Sequence, residues 1–331
     1  MGPKDKALTH RHKKTGSRIR VAVAWTGTVG LLAYLLATTN LTEAWEAVRQ
    51  ADIALFAGAV VVFNITSFLA QTASACVLVQ RCGIDISHRE FRRIRGVSSL
   101  PSAVSYALSL ATMTTLLSRR SSQGWFASSS PFLLLNFIDL SALSLLALLA
   151  VASGFSSLGR EMNLAVGLFA VAGFAAGPVL IIILRLARPP AWLLKFVKHD
   201  MLSAFSIPSP GDLAWVFLLR AACFALKFLE ILVYLSAFGF TVPFWTLMVL
   251  EPIMIVVGIL PISVGGFGSI QVAARELFAG FAPAGLDPIP TVDAFSTAVM
   301  TGILLVRVAI GLWYAPSTIS RLDSGPSDRT D

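Results

Sequence analysis

From Ile53 to Val79 the chain runs 27 residues without a single charged side chain. A helix needs only ~20 apolar residues to cross the hydrocarbon core of a bilayer. Similar runs recur at about 19–39, 133–153, 164–186, 213–237, 244–260 and 294–314. A soluble fold of this size needs a charged skin, with roughly a quarter of its residues charged. Here 13% of 331 residues are charged, and mean hydropathy is +0.76. Those values exclude a disordered chain, a secreted disulfide scaffold and an ordinary cytosolic enzyme. The sequence therefore predicts an all-α fold, a polytopic transmembrane helical bundle of about 7–9 membrane segments. It divides into a basic tail at 1–18, one membrane domain at 19–315 and a short polar tail at 316–331.

The net charge of +8 is unevenly placed. Lys4, Lys6, Arg11, Lys13, Lys14, Arg18 and Arg20 crowd the first 20 residues against Asp5 alone. A second cluster, Arg89, Arg92, Arg93 and Arg95, follows Arg81 in what reads as a basic loop at 81–95. The segment at 40–52 reads as an acidic loop, with Glu43, Glu46 and Asp52 against Arg49. In a membrane protein such clusters are first topology signals: basic ends stay in the cytoplasm. They also suit anionic lipid headgroups. Nucleic-acid binding is set aside, because aromatic residues do not interleave with the basic ones and the runs abut apolar spans. Cys76, Cys82 and Cys223 form no CxxC, and His10, His12, His88 and His199 form no HExxH. The expectation is no metal, no cofactor and three free thiols.

Two segments are not ordinary spans. Residues 97–117 hold Pro101 and a heavy load of hydroxyls, including Ser98, Ser99, Ser102, Ser105, Ser109 and Thr112. A full crossing there would put the basic stretch at 185–198 on the outside. A re-entrant dip, the preferred reading, returns both basic stretches to one side. The second is Leu260-Pro261-Ile262-Ser263-Val264-Gly265-Gly266-Phe267-Gly268. Pro261 removes a backbone donor, and Gly265, Gly266 and Gly268 permit conformations other residues avoid. Broken backbone at membrane depth survives only inside protein or beside a wet cavity. The alternative is a tight interfacial turn. A faint repeat joins the two segments: Leu100-Pro101-Ser102-Ala103-Val104-Ser105 matches Leu260-Pro261-Ile262-Ser263-Val264-Gly265. Gly/Pro-broken segments at matching places in two halves point to a transporter's binding site. A third stretch, at 192–198, reads as a short interfacial helix.

The candidate binding residues are the charges left inside apolar runs. Arg220, Lys227 and Glu230 fall within roughly 80° of one helix face. Each charge at the bilayer centre costs at least ~2.5–3.5 kcal/mol on insertion scales, so such groups face the bundle interior in pairs. Lys227 and Glu230 are spaced to pair, and Arg220 either snorkels to the surface or faces a phosphate. Asp139, Glu251, Arg275 and Arg307 are further candidates for the same interior, joined by Pro261, Gly265, Gly266, Gly268 and Gln271 of the broken segment. No nucleophile elbow, P-loop or membrane-edge His/Asp pair is present, so no catalytic residues are expected.

The order of spans, the basic loop before a Leu-Pro segment, Asp139 in the next span and the Leu260-Pro261…Gly265-Gly266-Phe267-Gly268 stretch resemble the lysylphosphatidylglycerol synthase transmembrane-domain family, also described as flippase-like integral membrane proteins. The resemblance covers about residues 20–315. It implies a multi-pass bundle in a bacterial or archaeal inner membrane, with the N-terminus cytoplasmic and re-entrant segments. Its best-understood members move aminoacylated phosphatidylglycerol between leaflets; others accompany hopanoid or glycolipid synthesis. The chain departs from the pattern at Gln271, where a Glu is common, at Leu135 and Asn136, where an acid–base pair is common, and at Ala103-Val104-Ser105, where a glycine is usual. Those losses bear against an ion-coupled mechanism.

The expectation is a lipid translocator that passes an anionic or modified phospholipid or glycolipid headgroup through a polar, basic cavity. The alternatives are a non-catalytic membrane partner of an envelope-lipid biosynthetic enzyme, and a membrane enzyme acting on lipid headgroups.

Overall fold

A computed structural model describes residues 40–121, 123–154, 159–186, 199–259 and 266–323. The first apolar run, the segment at 192–198 and the Leu260–Gly265 half of the broken stretch lie outside the described residues. Among those described, every regular element is a helix. The order is α1 Leu41–Gln50, α2 Ile53–Arg81, α3 His88–Ser102, α4 Tyr106–Ser121, α5 Trp125–Ser153, α6 Arg160–Leu186, a 3-10 turn His199–Phe205, α7 Pro210–Ala237, α8 Phe244–Ile259, α9 Ser269–Phe278, a 3-10 turn Ala279–Phe281, and α10 Pro288–Asp323. The chain is a polytopic helical bundle.

Four of these helices, Ile53–Arg81, Trp125–Ser153, Arg160–Arg185 and Pro288–Pro316, are long and apolar enough to cross a membrane. Their outer faces are what lipid requires. Val61, Val62, Leu168, Phe169, Val171 and Leu305 all stand exposed. Backbone polar groups are satisfied within the helices, as a bilayer demands. Helix ends carry polar caps: Asp52 accepts from the Leu55 amide, Ser87 from the Glu90 amide, and Ser209 and Asp212 form a reciprocal capping box.

Two expected loops are helical instead. The acidic segment at 40–52 is mostly α1, because Asn40 caps its start and Glu43 and Arg49 complement its ends. The basic segment at 81–95 is a loop only to Ser87; His88 onward belongs to α3. Arg89, Arg92, Arg93 and Arg95 therefore occupy a helix whose first turns share a basic face.

Contacts at the helix ends define two ends of the bundle. At one, Arg81 ends α2 and bridges Asp212 at the start of α7 over 3.1 Å. At the other, the Asp52 amide donates to the Ala237 carbonyl over 2.8 Å, and the Thr241 amide to the Phe281 carbonyl over 3.3 Å. Arg81, Arg89, Arg92, Arg93, Arg119, Arg120 and Arg185 gather at the first end. Glu43, Glu46, Asp52, Glu161 and Asp287 gather at the second, with Arg49 and Arg160.

Residues 88–121 form a helical hairpin. Arg120, near the end of α4, pairs with Glu90, near the start of α3, and the Ser109 hydroxyl donates to the Ser98 carbonyl over 2.8 Å. At 15 and 16 residues each arm is ~23 Å long, too short to span. Both ends of the hairpin lie at the basic end, the geometry that the re-entrant reading requires. The turn at 103–105 follows Pro101, which cannot continue a hydrogen-bonded helix.

A second hairpin enters from the acidic end. α8 has 16 residues and α9 has 10. Gly258 near the end of α8 and Gly266 before α9 both lie against Ile270, and the Thr241–Phe281 bond brings the outer ends together. The two halves thus run in opposite senses. α2 reaches the basic end and a hairpin dips in from there; α7 reaches the acidic end and a hairpin dips in from there. That is the arrangement of inverted-topology repeats. The Leu100–Ser105 match sits at the tip of the first hairpin. Its counterpart at 260–265 falls between α8 and α9, outside the described residues.

α10 clamps both hairpins. Gly96 and Gly311 are close-approach positions: a Cβ on Gly96 would overlap the Tyr314 ring, and one on Gly311 would overlap the Leu100 side chain. Gly266, with φ +83°, lies against Met300 of the same helix.

The hairpin has a direct test. Cys76, Cys82 and Cys223 are buried, so a surface thiol reports alone. Asp85→Cys and Gln123→Cys should label from the same side of the membrane, and Ala284→Cys from the other. Labelling of positions 85 and 123 from opposite sides would mean that 88–121 crosses.

Candidate functional site

The bundle holds two apolar cores, one at each end. Ala75, Leu78, Phe91, Leu117, Phe132 and Val216 belong to the core at the basic end. Phe56, Val60, Leu143, Tyr234, Leu250 and Phe295 belong to the core at the acidic end. Between them lies a polar layer at mid-height. On α2 it holds Asn64, Ser67, Gln71 and Ser74; on α5, Asp139 and Ser141; on α7, Arg220, Lys227 and Glu230.

Arg220 is buried and meets Asp139 through both ends of its guanidinium, with Nη2–Oδ2 at 2.6 Å. Its Nη1 donates to the Ser74 hydroxyl over 3.2 Å, and its charge sits 5.8 Å from the Phe224 ring centroid. A guanidinium fork on a carboxylate is the strong form of a charged hydrogen bond. Arg220 therefore does not snorkel to the surface. Asp139 keeps part of its carboxyl accessible, at 23%.

About two helical turns onward, Lys227 Nζ donates to Glu230 Oε1 over 2.9 Å. Glu230 also accepts from the Tyr234 hydroxyl at 3.0 Å and the Ser67 hydroxyl at 3.4 Å, and Asn64 Nδ2 donates to Tyr234 Oη at 3.0 Å. Glu230 is buried, while Lys227 remains 26% exposed. Each pair thus keeps one partly accessible member, the carboxylate of Asp139 and the ammonium of Lys227.

Glu251 and Arg307 are held more loosely. Neither forms a direct ion pair among the described residues. Glu251 lies within electrostatic reach of Lys227 and Glu230, and Arg307 within reach of Glu230. Arg307 is exposed, and on α10 it stands between Met300, at the second hairpin, and Gly311, at the first. About 16 Å of helix separates those two contacts. Arg95 joins the layer from the first hairpin: its Nη2 donates to Gln71 Oε1 over 3.0 Å, within electrostatic reach of Arg220 and Asp139.

Asp139, Arg220, Lys227, Glu230, Glu251 and Arg307 therefore come together as the sequence suggests. Gln271 and Arg275 do not join them. Gln271 is buried and accepts the Gly268 amide over 2.7 Å, which stabilises the start of α9 where glycine (φ +91°) supplies no side-chain cap. Arg275 is locked to Asp293 through two contacts of 2.6 Å at the acidic end, a structural clamp between α9 and α10. Gly266 and Gly268 carry the left-handed backbone expected of them; Pro261 and Gly265 lie outside the described residues.

Sequence reasoning missed three contributors. By sequence Arg95 is one member of a basic cluster, with nothing local to mark its contact with Gln71. Asp293, which stands just before the apolar run at 294–314, contributes to the Arg275 clamp and not to the layer. Asn136 accepts from the Tyr106 hydroxyl over 2.7 Å, tying the first hairpin's return arm to α5.

The family model for the lysylphosphatidylglycerol synthase transmembrane region matches residues 18–311. The chain belongs to this family. It is thereby a membrane protein related to lipid modification or translocation. No curated protein matches it. Within the family frame, the Asp139–Arg220 pair carries particular weight, since it ties α5 to α7 across the polar layer.

Removing one member of that pair leaves the other uncompensated at membrane depth. Asp139→Asn should lower the melting temperature of the purified protein. Adding Arg220→Met to Asp139→Asn should recover part of the loss, with a coupling on the order of 1–3 kcal/mol. Additive losses would show that the pair does not act as a unit.

Proposed function

We propose that this family member translocates a lipid between leaflets, passing its headgroup through the mid-height polar layer while the acyl chains remain in the bilayer. The observation that carries the reading is the framing of partly accessible charges by two hairpins that enter from opposite ends. Broken helices that meet at mid-depth are the usual architecture of a transporter binding site. Polar groups at that depth are costly and are retained where a polar substrate passes.

The chemistry of the layer favours an anionic or zwitterionic headgroup. Lys227 and Arg307 offer donors to a phosphate, and Glu230 and Glu251 offer acceptors to a headgroup amine or hydroxyl. An aminoacylated phosphatidylglycerol or a glycolipid satisfies both. No residue is assigned a bond-breaking role; the protein is read as a translocator and not as an enzyme. The excess of arginine at one end supports reading that end as cytoplasmic, and the family resemblance supports a bacterial or archaeal inner membrane. A partnership with an envelope-lipid biosynthetic enzyme is compatible with this role, which would supply or remove the transported lipid.

Reconstitution tests the reading. Liposomes with fluorescent phospholipid and the purified protein should lose dithionite-protected signal faster than empty vesicles. Lys227→Ala and Arg307→Ala should slow that loss by about tenfold, the effect of ~1.4 kcal/mol on the barrier. Protein-independent rates with correctly inserted protein would discard translocation and leave the scaffold role.

A further inference from the structure

Outside the polar layer, at the basic end, α3 and α10 frame an open cavity of about 400 Å³ lined by Arg89, Arg92, Arg93, Trp313 and Tyr314. We propose that this cavity is a binding site for the phosphate headgroup of an anionic phospholipid from the adjoining leaflet. The site is separate from the translocation path, and the proposal stands whether or not lipid crosses the protein.

The geometry is built from the sequence. Positions 89, 92 and 93 share one face of a helix, so three guanidiniums converge within a single turn. Arg89 and Arg92 are exposed and Arg93 is half-buried. α10 brings its aromatic pair against them because glycine stands at Gly96 and Gly311, where any side chain would hold the helices apart. Trp313 is 81% exposed at the end of a membrane-length helix, the level at which indole rings settle among headgroups. Among the described residues, no carboxylate lines the cavity. The nearest acid on α3, Glu90, is engaged by Arg120, and Asp212 by Arg81.

The chemistry is selective. Guanidinium forks match the oxygens of a phosphodiester in pairs, and the exposed Arg89 and Arg92 favour a lipid with net negative charge over a zwitterion whose amine they repel. The ring of Trp313 gives the glycerol and upper acyl region an amphipathic wall. A free phosphate shares the charge but has nothing to place against that wall.

Tryptophan quenching locates the ligand. The full-length protein is reconstituted in phosphatidylcholine vesicles containing either brominated phosphatidylglycerol or brominated phosphatidylcholine. The Trp313 signal is the difference between wild type and Trp313→Phe. Brominated phosphatidylglycerol should quench it about threefold more than brominated phosphatidylcholine, the preference expected when surface guanidiniums attract an anionic headgroup. Arg89→Gln with Arg92→Gln should erase the preference; both side chains are exposed, so folding is retained and is checked by circular dichroism. Equal quenching by the two lipids in wild type, or an unchanged preference in the double variant, would overturn the proposal. Inorganic phosphate in solution should leave the quenching unchanged; its suppression by phosphate would assign the site to the free anion and overturn the lipid assignment. Preference without dithionite-measured translocation would retain this site and discard only the transport reading.

Discussion

Everything in this bundle answers to the cost of holding charge at mid-depth in an apolar fold. An unpaired ion there is penalised far more than at the surface, because no water solvates it. The chain resolves this by splitting its apolar core into two, one at each end, and collecting its polar side chains between them. Arg220 and Asp139 neutralise each other across α7 and α5; Lys227 and Glu230 do so along α7. Hydroxyls and amides from α2, at Asn64, Ser67 and Ser74, satisfy what the ion pairs leave. Glu251 and Arg307 stay outside this closed accounting. Under the proposed function, they are the groups an incoming headgroup would meet with least rearrangement.

The hairpins follow from the same constraint. A short helical arm can end at mid-depth only where its terminal backbone groups find polar surroundings. The tip after Pro101 lies toward this layer, with Tyr106 bonded to Asn136 beside Asp139. The approach to α9 brings Gly266 against Met300 on the same helix that carries Arg307. Polar layer and broken helices therefore depend on each other. The glycines at 96 and 311 matter for a related reason: they let α10 press on the first hairpin closely enough to fix its depth.

Much of this was legible in sequence. Apolar runs located α2, α5, α6, α7, α8 and α10, because lipid makes their periodicity nearly irrelevant and their length decisive. The buried charges on α7 were visible because so few charges exist. The weak Leu-Pro repeat pointed to two related elements, and charge bias favoured the dip over the crossing at 97–117. What sequence did not provide was partnership. Asp139 pairs with Arg220 at a separation of 81 residues, and Arg275 with Asp293 instead of with the polar layer. No local spacing encodes either choice; each is made by which helices become neighbours. By charge count alone α1 and the start of α3 look like loops, although Asn40, Asp52 and Ser87 mark the helix boundaries.

The central claim is that the layer between the hairpins is wet and open to a headgroup at mid-depth. Thiol reactivity in intact membranes measures this most directly. Arg307→Cys faces the layer, whereas Leu305→Cys, two residues away on the same helix, faces lipid with 64% of its surface exposed. A small charged methanethiosulfonate should modify the cysteine at 307 and spare the one at 305. Equal resistance at both positions would mean that the layer is a dry structural clamp, and would contradict the account.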